Sequence, residues 1–121
     1  MFDPQQINYD AFNYYTRLQR VRSYVSQHIC DDLSLRKAAR VAGLEHKYFS
    51  TFFHAKAGVP FKQWVSYLRV KRAKQMMEDA NHSITHIAFA IGFQDVRTFE
   101  RTFKRVTSLT PMQYKKSVRP A

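Results

Sequence analysis

Three glycines, four prolines and a single cysteine are all the special backbone and thiol chemistry this 121-residue sequence contains. So few turn formers disfavour a chain of β-hairpins, and helices follow more naturally. Cys30 has no second cysteine to pair with, which excludes an internal disulfide and fits a reducing compartment. At the end of an amphipathic stretch, it is expected to be a small buried thiol rather than a nucleophile. Long apolar runs are also absent. The longest, Ile87-Ala88-Phe89-Ala90-Ile91, is five residues, against the roughly 18 that a membrane helix needs. The polar start Met1-Phe2-Asp3-Pro4-Gln5-Gln6 lacks the build of a secretory signal. Together these absences predict an intracellular protein with no membrane contact.

Acidic residues are scarce too. Nine oppose 20 lysines and arginines, a net +11 with a pI near 10.1. The imbalance is local. Before Ser34, Arg17, Arg20 and Arg22 face Asp3, Asp10, Asp31 and Asp32, a net −1; from Ser34 on, 17 basic residues face five acidic ones, a net +12. A folded segment this cationic repels itself, and phosphate backbones or anionic membranes are the usual partners that offset it; basic residues dispersed over several helices fit a membrane surface less well. Five histidines invite a metal, with His82 and His86 four apart. His82 precedes a helix, however, no acid or thiol cluster accompanies the pair, and no HExxH pattern occurs. No metal, no cofactor and no catalysis are therefore expected.

The 45% hydrophobic content is enough for a packed core. A first helix is expected from Asp10, as N-cap, to Ile29, burying Tyr14, Leu18, Val21, Val25 and Ile29, with Phe12, Tyr15 and Tyr24 widening the apolar face. The sequence then repeats itself. Ser34-Leu35-Arg36-Lys37-Ala38-Ala39-Arg40-Val41-Ala42-Gly43-Leu44 aligns with Ser83-Ile84-Thr85-His86-Ile87-Ala88-Phe89-Ala90-Ile91-Gly92-Phe93. Each copy opens with a capping Ser and runs small or aliphatic residues at helical spacing. Each stops at a Gly able to take the left-handed conformation. A second helix follows in each, carrying Phe49, Phe52 and Phe53, or Phe99, Phe103 and Val106. The alignment offset grows from 49 to 50 between the two halves of the repeat, so the second turn is one residue longer. Asp95 suits the second N-cap, and Glu45 suits the first less well. Between the copies a helix from Pro60 to Glu78 is expected to bury Phe61, Trp64, Val65, Leu68, Ala73, Met76 and Met77. A short helix from Pro111 to Ser117 precedes a basic tail.

The expected architecture is all-α: two helix-turn-helix subdomains joined by a long linker helix, about seven helices in all. Its parts are an N-terminal segment and helix (1–33), the first unit (34–59), the linker (60–80), the second unit (81–110), and a final helix and tail (111–121). Ala38, Ala39 and Ala88 let the first helix of each unit approach the second closely, so the second protrudes. Such a ridge fits the major groove, about 12 Å wide, and the linker is about the spacer that successive groove segments require. Opposite the Phe stripes lie His46, Lys47, Ser50, Thr51 and His54, and in the second unit Val96, Arg97, Glu100, Arg101 and Lys104. Arg grips guanine bidentately, Glu accepts from cytosine, Ser and Thr read either edge, and Val meets a thymine methyl.

The run Ile84-x2-Ile87-Ala88-x3-Gly92-Phe93-x-Asp95-x3-Phe99-x-Arg101-x-Phe103-Lys104, ending Thr110-Pro111-x2-Tyr114, resembles the signature of the AraC/XylS family of bacterial transcription regulators. The likeness extends back over Leu35–Met77, including Gly58 and Arg69-x3-Ala73. It implies a seven-helix DNA-binding domain that reads an asymmetric double-stranded site as one chain and activates transcription through RNA polymerase. By motif position, the base-reading residues would be His46, Lys47, Ser50 and Thr51, then Val96, Arg97, Glu100 and Arg101. Ser34, Lys56, Ser83, Lys104 and Lys115 are the expected phosphate contacts. The setting would be the bacterial cytoplasm, on the nucleoid, with the domain a monomer on DNA and any dimerisation left to another domain. Three departures stand out: Glu45 in place of a capping Ser, Ser108 in place of a Gly, and no room for a ligand-sensing domain. The last leaves two readings open, a stand-alone regulator or the C-terminal part of a longer one. The rival to specific reading is non-specific nucleic-acid binding, as in a nucleoid or RNA-binding protein, driven by charge alone.

Overall fold

The computed structural model describes residues 3–79 and 81–118. Among them are eight α-helices, one 3₁₀ turn at Pro4–Gln6 and no strand. The helices are α1 (Tyr9–Tyr14), α2 (Thr16–Gln27), α3 (Leu35–Ala42), α4 (His46–Ala57), α5 (Phe61–Met77), α6 (Ile84–Ala90), α7 (Val96–Thr107) and α8 (Pro111–Val118). The all-α expectation holds. The basic tail beyond Val118, the start at Met1 and Phe2, and Ala80 at the end of the expected linker lie outside the described residues.

One more helix than expected arises because the first one breaks. Asn8, not Asp10, caps α1, its Oδ1 accepting from Ala11 N–H at 3.3 Å. Tyr15 then turns extended, at φ −92° and ψ 119°. The carbonyl freed by the break, that of Asn13, accepts from Gln19 Nε2 at 2.6 Å, so it is not orphaned. The break swings Tyr14 outward to 79% exposure, where the periodicity had placed it in the core. Phe12 is instead almost wholly buried, stacked on Trp64 at 5.1 Å. Ile29 lies beyond the end of α2 and is only half-buried. Cys30 is exposed, against the expectation of a buried thiol, because α2 has already ended at Gln27 and the chain there runs through a surface turn.

The chain divides into two units, Asp3–Val65 and the residues from Ser66 onward. In the first, α3 packs on α2 and α4, and Ala38, Ala39 and Ala42 are fully or almost fully buried, as close helix approach requires. Phe53 lies at the centre of an aromatic cluster with Phe12, Phe49, Phe61 and Trp64, its ring centroid 5.4–5.9 Å from each. Arg17 donates through Nη1 to the Ala42 carbonyl, placing a cation at the C-terminus of α3. The second unit buries Val70, Ala73, Met77, Ile87, Ala88, Ile91, Phe99 and Phe103. The linker helix α5 therefore has no single buried stripe. Phe61, Trp64 and Val65 serve the first unit, while Val70, Ala73 and Met77 serve the second. The shift leaves Leu68 and Met76 half-buried and brings in Val70, which the expected stripe omitted.

Both reading-helix candidates end in left-handed residues. Gly58 has φ 87° and Ser108 has φ 69°, each N–H returning to a carbonyl four residues back. For a serine that conformation costs about 1–2 kcal/mol. Ser108→Gly is therefore expected to raise stability in urea unfolding by roughly 0.5–1 kcal/mol, because glycine's greater unfolded-state freedom offsets part of the relief.

Candidate nucleic-acid interface

Each unit builds the same local device from its sequence. In the first, Ser34 caps α3 by accepting from Lys37 N–H at 3.1 Å. Gly43, at φ 72°, then ends that helix. In the second, Ser83 accepts from His86 N–H at 3.0 Å, and Gly92 has φ 97°. Leu44 and Phe93 then return N–H bonds to Ala39 and Ala88, so the two turns close alike. α4 and α7 follow, 12 residues each.

The N-caps of the two long helices are both carboxylates. Asp95 accepts from Thr98 N–H at 2.7 Å and from its hydroxyl at 3.0 Å. The backbone N–H of Thr98, followed by its hydroxyl, holds the Asp95 carboxyl below its ordinary range. Glu45 performs the same task better than the sequence reading allowed. One oxygen, Oε2, accepts from the N–H groups of both Lys47 and Tyr48 at 3.0 Å, and the longer side chain simply folds back over the first turn. These two N–H groups, Lys47 first, lower its pKa. Its other oxygen lies 3.0 Å from His46 Nδ1. Glu45 is thus engaged as a cap. The helix N-termini are already compensated by these carboxylates, so attraction for phosphate rests on side chains.

Those side chains lie where the sequence placed them on their helices. Lys47, Ser50, Thr51 and His54 are exposed on α4, opposite buried Phe49, Phe53 and Ala57, while His46 is half-buried and held by Glu45. Ser50, Thr51 and His54 line a shallow open depression with Ala55 and Gly58. On α7, Arg97, Glu100, Arg101 and Lys104 are exposed, opposite buried Phe99 and Phe103. Val96 differs, being half-buried against the second core, so only part of it faces outward.

The expected phosphate contacts fall into two sorts. Ser34 and Ser83 use their hydroxyl oxygens as caps, which leaves each O–H free to donate. Lys104 is exposed. Lys56 and Lys115 are half-buried: the Lys56 ammonium lies 5.3 Å from the centre of the Tyr15 ring, and Lys115 Nζ donates to the His82 carbonyl at 2.9 Å. The sequence reading passed over Tyr48, which is 59% exposed on the reading helix. The available signal was its phase, off the Phe49–Phe53 stripe.

His82 and His86 stack at 5.0 Å, and His82 Nε2 lies 3.7 Å from Asp79, an acidic neighbour that the sequence reading missed. Among the described residues no group of three His, Cys, Asp or Glu is placed to hold a metal ion. No helix among them is long and apolar enough to cross a membrane.

A family model described as a helix-turn-helix domain matches residues 38–117. The HTH-type transcriptional regulator YobQ of Bacillus subtilis is 27% identical over 96 residues, covering 79% of this chain but only 40% of that protein. A regulator with an AraC-type DNA-binding domain from Chromobacterium violaceum superposes with a TM-score of 0.79 at 23% identity, covering 94% of this chain and all of that one. The DNA-binding domain of the transcriptional factor AdpA, solved with a target DNA, gives 0.80 at 22% identity, covering 87% of this chain and 95% of that one. The chain spans less than half the length of the curated relatives it matches, 40% of YobQ and 13% of a Staphylococcus aureus regulator. With two glycine-turned helix pairs presenting polar faces and a family model that matches residues 38–117, this chain belongs to that helix-turn-helix domain family, and its fold is similar to that of AraC-type DNA-binding domains.

Proposed function

We propose that the chain reads a specific double-stranded DNA site with two helices, α4 and α7, each entering one segment of the major groove. One observation carries the reading. At matched positions of an internal repeat, both units leave one polar helical face uncovered while burying the opposite apolar face. Lys47, Ser50 and Thr51, with the outward edge of His46, are the base contacts of the first unit. Arg97, Glu100, Arg101 and the outward part of Val96 are those of the second. Lys104, Ser34 and Ser83 position the duplex through phosphates, and Lys56 and Lys115 do so with whatever donors their internal contacts leave free. One copy of the domain occupies one site, with no cofactor, and activates transcription by contact with RNA polymerase, in the bacterial cytoplasm on the nucleoid.

Exposed cations outside the reading faces, such as Arg36, Arg40, Lys71 and Arg72, favour a second reading in which charge alone holds nucleic acid. Selection from random duplex DNA separates the two. A specific reader enriches one site over bulk sequence by about 10³-fold or more, and an unenriched pool leaves charge alone. On the selected site, Arg101→Ala or Arg97→Ala is expected to relax preference at one or two base pairs by roughly 10- to 100-fold. Lys104→Ala should instead weaken every sequence alike and reduce the salt slope by about one. Equal losses from all three on every sequence would remove base reading from α7.

A further inference from the structure

The geometry points to a second element of the first unit's DNA contact: an aromatic ledge of Tyr14, Tyr15, Phe52 and Tyr48, with Lys56, that grips the sugar–phosphate wall beside α4. This inference rests on the proposal that α4 enters the major groove. The rings form a continuous series. Tyr14 meets Tyr15 edge-on at 4.8 Å, Tyr15 meets Phe52 at 5.9 Å, and Phe52 stacks on Tyr48 at 6.4 Å. The Lys56 ammonium sits over the Tyr15 ring.

Helical phase places the ledge beside the reading face. At 100° per residue, Tyr48 lies about 60° round α4 from Thr51, on the flank between the reading face and the Phe49–Phe53 stripe, whose centre is about 120° further on. A helix nearly fills a groove about 12 Å wide, so its flanks meet the backbone walls rather than base edges. The chemistry of the ledge selects that ligand over an apolar one. Its two most exposed members, Tyr14 and Tyr48, are both tyrosines, each ending in a hydroxyl donor suited to a phosphate oxygen, whereas the hydroxyl-free Phe52 is half-buried. Glu45 has both oxygens engaged, and Asp10 stands one turn before Tyr14 on α1.

The repeat supplies the contrast. Fifty residues on, the counterparts of Tyr48, Phe52 and Lys56 are Thr98, Thr102 and Val106. Thr98 is bonded to Asp95, Thr102 is buried, and Val106 packs on the second core. The common fold does not require an exposed aromatic flank on the reading helix: among the described residues, α4 has one and α7 does not.

The test compares Tyr48→Phe and Tyr14→Phe with wild type on the selected duplex, on an unrelated duplex, and on duplexes carrying single neutral methylphosphonates. Each variant removes one exposed oxygen, and thermal melting checks that folding is kept. Each is expected to weaken binding about 2- to 10-fold on both sequences with an unchanged salt slope, since no charge is lost. Neutralising the phosphate bonded by Tyr48 should weaken wild type and leave Tyr48→Phe with no further loss. If both variants bind as wild type does while wild type still prefers its selected site, the ledge is overturned and the reading of α4 survives. If they weaken binding only when another polypeptide is present, the ledge is a protein-docking surface and the inference is equally wrong. If wild type enriches no site at all, sequence reading itself fails, which is a different outcome from either.

Discussion

Gly58→Ala is expected to destabilise the first unit by about 3–5 kcal/mol in urea denaturation, a large share of the roughly 5–15 kcal/mol that holds a small domain together. Two effects add. Gly58 sits at φ 87°, where any L side chain is strained by about 1–2 kcal/mol. A Cβ there would also lie 2.1 Å from the Gln6 carbonyl oxygen and 3.3 Å from its carbon. Those neighbours are main chain, so relief requires the segment Asp3–Asn8 to lift. That segment is tied down by the Asn8 N–H bond to the Ala57 carbonyl at 2.8 Å and by buried Ile7. Breaking the bond and exposing the isoleucine supply the rest of the cost. Gly43→Ala is the control. It carries the same conformational strain at φ 72°, but its Cβ would meet only the tip of Arg17, at 3.1 Å, a flexible side chain that can shift at the cost of weakening its bond to the Ala42 carbonyl. Its loss should be no more than about half as large. Equal losses at the two glycines would show that strain alone, and not the closed approach to Gln6, governs position 58.

Phe53→Ala is expected to cost about 3–5 kcal/mol as well, by a different route. The side chain is fully buried and meets four other rings, contributed by α1, α4 and α5. None of those rings can fill the void without leaving its own contacts, so the cavity stays largely open. Phe103, the matching residue of the second unit, meets two rings among the described residues, Phe99 and Tyr114 at 5.8 and 5.6 Å, and Phe103→Ala should fall lower in the same range. The pair also tests the proposed division of labour on DNA. In a footprint of the selected site, Phe53→Ala should remove protection from one half, and Phe103→Ala from the other. Loss of the whole footprint in both variants would mean that the units do not fold or bind separately.

The parts of this molecule legible in its sequence are those set by short-range rules. Ser34, Ser83 and Asp95 cap their helices as placed, Gly43 and Gly92 take positive φ, and Phe49, Phe53, Phe99 and Phe103 are buried where their spacing put them. The polar faces of α4 and α7 followed, because a helix with one side buried must show the other. The failures share a cause in tertiary contact. Residues 10–15 satisfy helical periodicity, yet the chain breaks at Tyr15, with Phe12 held on Trp64 and Asn8 held on Ala57. Periodicity also could not show that α5 serves two cores, which is why Leu68 was expected inside and Val70 was not. Glu45 was underrated because cap preferences favour short side chains, whereas a glutamate that folds back reaches two amides.

The meeting of Gly58 with Gln6 is made by main-chain atoms on both sides. Any residue at position 6 supplies the same carbonyl, so evolutionary drift there leaves the contact unchanged, while drift at 58 breaks it. Pairwise covariation among related sequences should therefore report nothing between these two positions, even though their approach leaves no space for a methyl group.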